Sequence, residues 1–173
     1  MNGLSVYTLA LLALTPFLVW RIYSRLKSIL QRQRSILQRH YTGAGVFGAI
    51  PLIAASQVAP TLGLLGWLAV GVGGGIAYGI WGLKLTRFET MQDGYFFTPN
   101  ARLGMVIALQ FVASILYIGF EIYANQDTGL PTPRVTDYIF FLPSLGLMTG
   151  YFATYSAGLL RWRWQLRKAI EQA

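Results

Sequence analysis

The chain of 173 residues is 54% hydrophobic and only 12% charged, which excludes an ordinary soluble domain and indicates an integral membrane protein. It has no cysteine and a single histidine, His40, so one chain cannot supply a disulfide, a thiolate metal site or a cluster of histidine ligands, and no metal site is predicted. The formal net charge of +8 indicates contact with anionic lipid headgroups, and we expect no nucleic acid partner.

The first predicted element is an uncharged run over residues 4–20. No basic segment precedes it, and arginines follow it where a signal peptide would have a cleavage site, so we interpret it as a spanning helix. Residues 21–42 then predict a basic amphipathic helix, because apolar residues recur at three- and four-residue spacing. We expect this helix to lie on the headgroups, with docking to a partner protein as the alternative. Its candidate contact residues are Arg21, Arg25, Arg32 and Arg34.

An uncharged stretch over residues 44–83 is long enough for two helices and is interrupted at Pro60. We predict a short span over 44–58 and a longer one over 62–83. The short length of the first leaves a re-entrant or tilted segment as an alternative. Gly71, Gly75 and Gly79 recur every four residues, a spacing that allows helix backbones to approach closely.

The polar stretch over residues 84–100 separates two apolar runs and predicts a small β-hairpin. Asp93-Gly94 is a strong turn signal, and the aromatic residues after it favour a strand. The hairpin would display Arg87, Glu89 and Asp93. We interpret these charges as a solvated surface with local ion pairs, and the alternative is a contact for a partner, a headgroup or a substrate.

This region contains five features in order: a helix end with glycines, a TRFE segment, an acidic-glycine turn, an aromatic strand and a Pro-Asn pair. The residues concerned are Gly79, Gly82, Leu83, Thr86, Arg87, Phe88, Glu89, Asp93, Gly94, Tyr95, Phe96, Pro99 and Asn100. This pattern resembles the cytochrome c biogenesis CcdC-like family of small bacterial membrane proteins. The resemblance is limited to residues 79–100. It implies a connection with cytochrome c or respiratory-chain biogenesis, and it carries over no catalytic residues.

A fourth span is predicted over residues 103–123 and an outer loop over 124–137. Glu121 lies near the end of this span, where an acid is either a functional group or simply reaches water. Arg134 is the only base in the loop, and we expect it to pair with Glu121 or Asp137 in an outer polar cluster.

The fifth predicted span, over residues 138–160, carries Tyr151 and Tyr155 one helical turn apart. Aromatic residues along a helix are more often a surface that faces lipid or packs against other helices, and stacking of these two rings on a quinone or pigment is the alternative interpretation. Trp162 and Trp164 alternate with arginines in the basic tail over residues 161–173, which is typical of an anchor in the headgroup region.

Five helices with the N-terminus outside place thirteen of the fourteen Lys and Arg residues on the cytoplasmic side. Only Arg134 is then outside. The sequence therefore predicts an all-α integral membrane protein, N-out and C-in, with an interfacial helix and a small cytoplasmic hairpin, and the resemblance to the CcdC-like family implies that its membrane is the bacterial inner membrane.

Catalytic residues are not predicted, because the helix interiors nearly lack charge and His40 is assigned to the basic helix, away from any serine or threonine nucleophile. We interpret the chain as a non-catalytic accessory or assembly subunit of a larger membrane complex. The alternatives are a binder or carrier of a lipid, quinone or pigment, and an enzyme at the membrane interface that uses Glu89 or Asp93 with Arg87.

Overall fold

The computed structural model describes residues 20, 21, 24, 33–91, 94–124 and 138–172. Within these ranges it contains four helices and three short strands. In chain order they are β1 (Gln33–Arg34), α1 (Leu37–Val58), α2 (Leu62–Lys84), β2 (Arg87–Met91), β3 (Gly94–Thr98), α3 (Ala101–Ala124) and α4 (Phe141–Glu171). The first predicted span, over residues 4–20, lies outside the described residues except for Trp20, which is helical.

Three of the described helices are long and apolar enough to cross a membrane: α1, α2 and the part of α3 over Arg102–Tyr123. Helix α1 begins at Leu37, seven residues earlier than the predicted span, and continues through Pro51 for 22 residues. At 1.5 Å per residue it is about 33 Å long, which matches a hydrocarbon core of about 30 Å. The predicted second span is therefore not short, and its length no longer favours a re-entrant segment.

Helix α4 has 31 residues and packs against α1, α2 and α3, so it lies at the centre of the bundle. It is not among the helices that are apolar enough to cross, and five spans are not shown. A central helix can carry more polar side chains because its neighbours cover them. Thr149, for example, is fully buried and donates a hydrogen bond to the carbonyl oxygen of Leu145 at 2.7 Å.

Buried glycines bring α2 and α4 into close contact. A Cβ atom at Gly75 would lie 2.8 Å from the backbone nitrogen of Tyr151, and one at Gly71 would lie 2.7 Å from the Cα atom of Pro143. From the other side, a Cβ at Gly150 would lie 2.6 Å from the carbonyl oxygen of Val72. The close approach predicted from the glycine spacing is thus found along this interface.

The three strands form an antiparallel sheet in the order β1-β3-β2. The predicted hairpin is present as β2 and β3, with Phe88 opposite Phe97 and with Gly94 at a φ of 135° where the turn ends. Strand β1 was not predicted, and the helix expected over residues 21–42 is wrong at these residues. Pairing with the free edge of β3 satisfies backbone groups of Gln33 and Arg34, and this outweighs their local helical periodicity.

The sheet docks on the last part of α4. The ring centroid of Trp162 lies 4.6 Å from that of Phe88 and 6.3 Å from that of Tyr95. The guanidinium of Arg163 lies 3.9 Å from the centre of the Tyr95 ring, a cation–π geometry. The predicted fifth span and basic tail are therefore one continuous helix, and its C-terminal part contacts the sheet.

Candidate functional site

A cavity of about 560 Å³ lies at the sheet end of the bundle, between α1 and α3. Its floor is α4, and β1 and β3 border its sheet end. The lining residues are Gln33, Arg34, Arg39, His40, Thr42, Gly43, Val46, Phe47, Phe97, Pro99, Asn100, Gly104, Met105, Ala108, Tyr151, Phe152, Tyr155, Ser156 and Leu159. Because α1 and α3 each pack on α4 but hardly on each other, the cavity is open between these two helices.

The lining changes from polar to apolar with distance from the sheet. Arg34, Arg39 and Asn100 lie at the sheet end, whereas Val46 and Met105 lie farther along α1 and α3. Seven residues separate Arg39 from Val46, which corresponds to about 10 Å along the helix. The cavity therefore offers charged donors at one end and apolar surface at the other.

Tyr151 is a packing residue as well as part of the cavity floor. Its ring is wedged between α2 and α3, because a Cβ at Gly82 would lie 3.1 Å from its hydroxyl and one at Gly104 would lie 3.2 Å from Cε1. Only 3% of the residue is exposed. The Tyr155 ring is stacked on it, with centroids 5.9 Å apart and planes 14° apart. The structure thus brings the predicted tyrosine pair together and covers one face of the Tyr151 ring with Tyr155.

Tyr155 forms a hydrogen bond with Thr86, a residue from the region that carries the family resemblance. The hydroxyl of Thr86 donates to the carbonyl oxygen of Gly82 at 2.8 Å, and it lies 2.9 Å from the hydroxyl of Tyr155. Since the single hydroxyl proton of Thr86 is committed to Gly82, Tyr155 is the donor in the second bond. Gly82 and Thr86 therefore position the tyrosine pair, a role that their sequence context did not indicate.

His40 is buried at the sheet end of the cavity. Its Nε2 atom lies 3.0 Å from the hydroxyl of Ser35, and its ring packs edge-on against Phe97 at 5.6 Å between centroids. The expectation that no serine lies beside this histidine is therefore wrong, because Ser35 lies at the turn from β1 into α1, five residues before His40. Ser35 is itself buried and does not line the cavity, so the pair is placed to hold β1 against α1.

Several predicted contact residues lie on the sheet or before it in the chain. Arg21 is helical and exposed, and Arg87 is exposed on β2. Glu89 is half-buried on β2, opposite Phe96. Of this group only Arg34 lines the cavity. Arg25, Arg32 and Asp93 lie outside the described residues.

The two tryptophans of the basic tail have different surroundings. Trp162 packs against the sheet, whereas Trp164 is exposed and donates from Nε1 to the hydroxyl of Tyr41 at 3.0 Å. Headgroup contact by these residues stays a prediction.

Of the predicted outer cluster, the structure describes only Glu121, because Arg134 and Asp137 lie outside the described residues. The carboxylate of Glu121 accepts a hydrogen bond from the Tyr117 hydroxyl at 2.9 Å, one turn earlier on α3. Among the described residues there is no group of three or more His, Cys, Asp or Glu side chains that could hold a metal ion.

Comparisons of the chain with protein-family models, with curated proteins and with solved structures find no match. The resemblance to the CcdC-like family stays a prediction from residues 79–100.

Proposed function

We propose that this chain is a multi-pass protein of the bacterial inner membrane that binds an amphiphile, namely a lipid, quinone or pigment, in the cavity between α1 and α3. The observation that carries the proposal is the cavity itself. Its volume of about 560 Å³ lies within the range of about 300–1,000 Å³ that is typical of sites for small organic ligands.

The position of the opening supports entry from the bilayer. The two helices that flank it, α1 and α3, are both long and apolar enough to cross a membrane. A hydrocarbon chain or an apolar ring can then move sideways from the lipid into the cavity without passing through water. Val46 of α1 and Met105 of α3 would contact this part of the ligand.

The charge distribution supports a cytoplasmic position for the sheet and the polar end of the cavity. Lys84, Arg87 and Arg102 lie in or beside the sheet, and α4 ends nearby in a basic segment. With the N-terminus outside, these bases lie on the cytoplasmic side, in agreement with the positive-inside rule. A ligand head would accordingly lie at the level of the cytoplasmic headgroups.

Native mass spectrometry of the protein, extracted in a mild detergent from its own membranes, tests the proposal. We expect a small molecule to be retained by the wild-type chain and lost from Val46→Trp, because the indole fills the apolar part of the cavity. Val112→Trp is the matched control, since Val112 lies on α3 outside the cavity and is 49% exposed, compared with 51% for Val46. Equal retention by the two variants would contradict the proposal.

A role as an accessory or assembly subunit is a second candidate. The outer face of α2 carries the exposed small residues Gly66, Ala69, Gly73 and Ala77, and a Cβ at Gly66 or Gly73 would have no atom within 4 Å. Such a face favours close approach by a helix of another chain. The resemblance to the CcdC-like family supports a connection of this assembly with cytochrome c or respiratory-chain biogenesis.

The assembly role predicts that Gly73→Leu removes partner subunits from the native mass. Gly45→Leu on α1 is the control, because Gly45 is also exposed with no neighbouring atom within 4 Å. A wild-type mass without partner subunits in several mild detergents would contradict this second candidate.

A further inference from the structure

Two arginines border the sheet end of the cavity, and no carboxylate among the described residues pairs with them. Arg34 lies on β1 and Arg39 in the first turns of α1, and both residues are exposed and line the cavity. Neither forms an ion pair within the described part of the chain. None of the described residues that line the cavity is Asp or Glu. Within the described part of the chain, this end of the cavity therefore carries a positive charge that no carboxylate offsets.

A third arginine, Arg163 of α4, adds to this charge although it does not line the cavity. Nη1 of Arg163 is buried and has no hydrogen-bond partner among the described residues. The charges of Arg163 and Arg39 both act on His40, which lines the same end of the cavity. A buried cationic nitrogen such as that of Arg163 is unfavourable unless an acceptor or an anion offsets it, and the exposed Arg34 and Arg39 add further positive charge at this end of the cavity.

The start of α1 favours an anion at the same place. Its N-cap residue, Ile36, makes no side-chain capping bond, and its first turn contains no acidic residue. The N-terminal end of the helix dipole therefore adds to the positive potential of Arg34 and Arg39. The planar guanidinium groups of arginine match the oxygens of a phosphate, with which they form paired hydrogen bonds.

We infer that the ligand is an anionic phospholipid whose phosphate-bearing head binds Arg34 and Arg39 and whose acyl chain lies along Val46 and Met105. This inference rests on the proposed function and narrows it to one class of ligand, because a quinone or a neutral pigment would supply no counter-charge to the two arginines, and no described carboxylate supplies one. The apolar surface begins about 10 Å from Arg39, so head and chain occupy the two ends of one cavity.

Native mass spectrometry of the delipidated full-length chain with defined lipids tests the inference. The probes are phosphatidylglycerol and phosphatidylcholine with identical acyl chains, inorganic phosphate alone, and a quinone. We expect one phosphatidylglycerol per chain, preferred at least tenfold over phosphatidylcholine. We expect Arg34→Gln combined with Arg39→Gln to bring this preference to within about twofold, because neutral amides cannot balance the anionic head. Arg87→Gln is the control, since Arg87 is exposed on β2 outside the cavity and its loss should leave the preference unchanged.

The outcomes separate the inference from the proposed function. Two results together support the inference and the proposed function. Val46→Trp binds no lipid, and the arginine double variant still binds lipid but no longer prefers phosphatidylglycerol to phosphatidylcholine. Equal binding of the two lipids or preferential binding of the quinone, still blocked by Val46→Trp, overturns the inference and leaves the proposed function standing. If the chain retains inorganic phosphate but no lipid, the inference that the ligand is a phospholipid is wrong. Lipid binding that Val46→Trp does not reduce overturns the proposed function itself.

Discussion

Replacement of Gly75 by alanine is expected to destabilise the α2–α4 interface. The new Cβ would lie 2.8 Å from the backbone nitrogen of Tyr151 and 3.0 Å from the Cα atom of Gly150, whereas favourable contacts between non-bonded carbon atoms are at about 3.5–4.0 Å. These neighbours are backbone atoms, so the helices must separate to relieve the clash. Overpacking of this kind costs about 1–3 kcal/mol.

Gly73→Ala is the matched control for this prediction. A Cβ at Gly73 would have no atom within 4 Å, and Gly73 lies on the same helix, two residues away. The two substitutions share the helix-propensity gain of about 1 kcal/mol for alanine over glycine, so their difference isolates the clash. We therefore expect Gly75→Ala to be less stable than Gly73→Ala by about 1–3 kcal/mol.

Reversible unfolding of the isolated chain by sodium dodecyl sulfate in mixed micelles measures this difference, with the circular dichroism of the helices as the signal. Equal stability of the two variants within about 0.5 kcal/mol would refute the close backbone packing of α2 on α4.

Two further predictions concern the contacts that hold the sheet and the tyrosine pair in place. Thr86→Val removes the acceptor of the Tyr155 hydroxyl and should destabilise the chain by about 1 kcal/mol or more, whereas Thr90→Val, at an exposed position of β2, should have little effect in the same unfolding assay. Trp162→Ala removes the aromatic contacts with the sheet and should make residues 87–98 cleavable by limited proteolysis. Trp164→Ala is the control and should leave these residues protected. Equal cleavage of the two variants would contradict the docking of the sheet on α4.

Local sequence patterns predicted those elements whose structure depends on local chemistry. The hairpin follows from the Asp-Gly signal, because Gly94 adopts a positive φ that few other residues accept. The glycine spacing of α2 predicted close packing, since small residues at intervals of four lie on one helix face. Long uncharged, apolar stretches predicted α1, α2 and α3, but the predicted start of α1 lies seven residues after its observed start at Leu37.

The parts of the site that were missed depend on contacts between distant segments. Strand β1 forms because the edge of β3 is available to it, a partner more than 60 residues away that no pattern around Gln33 can show. His40 packs against Phe97 of β3, 57 residues away in the chain, a contact that no pattern around His40 indicates. The cavity arises because α1 and α3 both pack on α4 without closing on each other, which no periodicity in either helix indicates.

Occupancy of the cavity is tested most directly by photo-crosslinking in native membranes with a phospholipid that carries a diazirine in its acyl chain. We expect label to concentrate on Val46 and Met105, which line the cavity. Leu52 and Leu116 are 72% and 68% exposed and lie outside the cavity, so they report ordinary contact with bulk lipid. Stronger labelling of the cavity pair would agree with a bound amphiphile between α1 and α3, and labelling that simply follows exposure would contradict it.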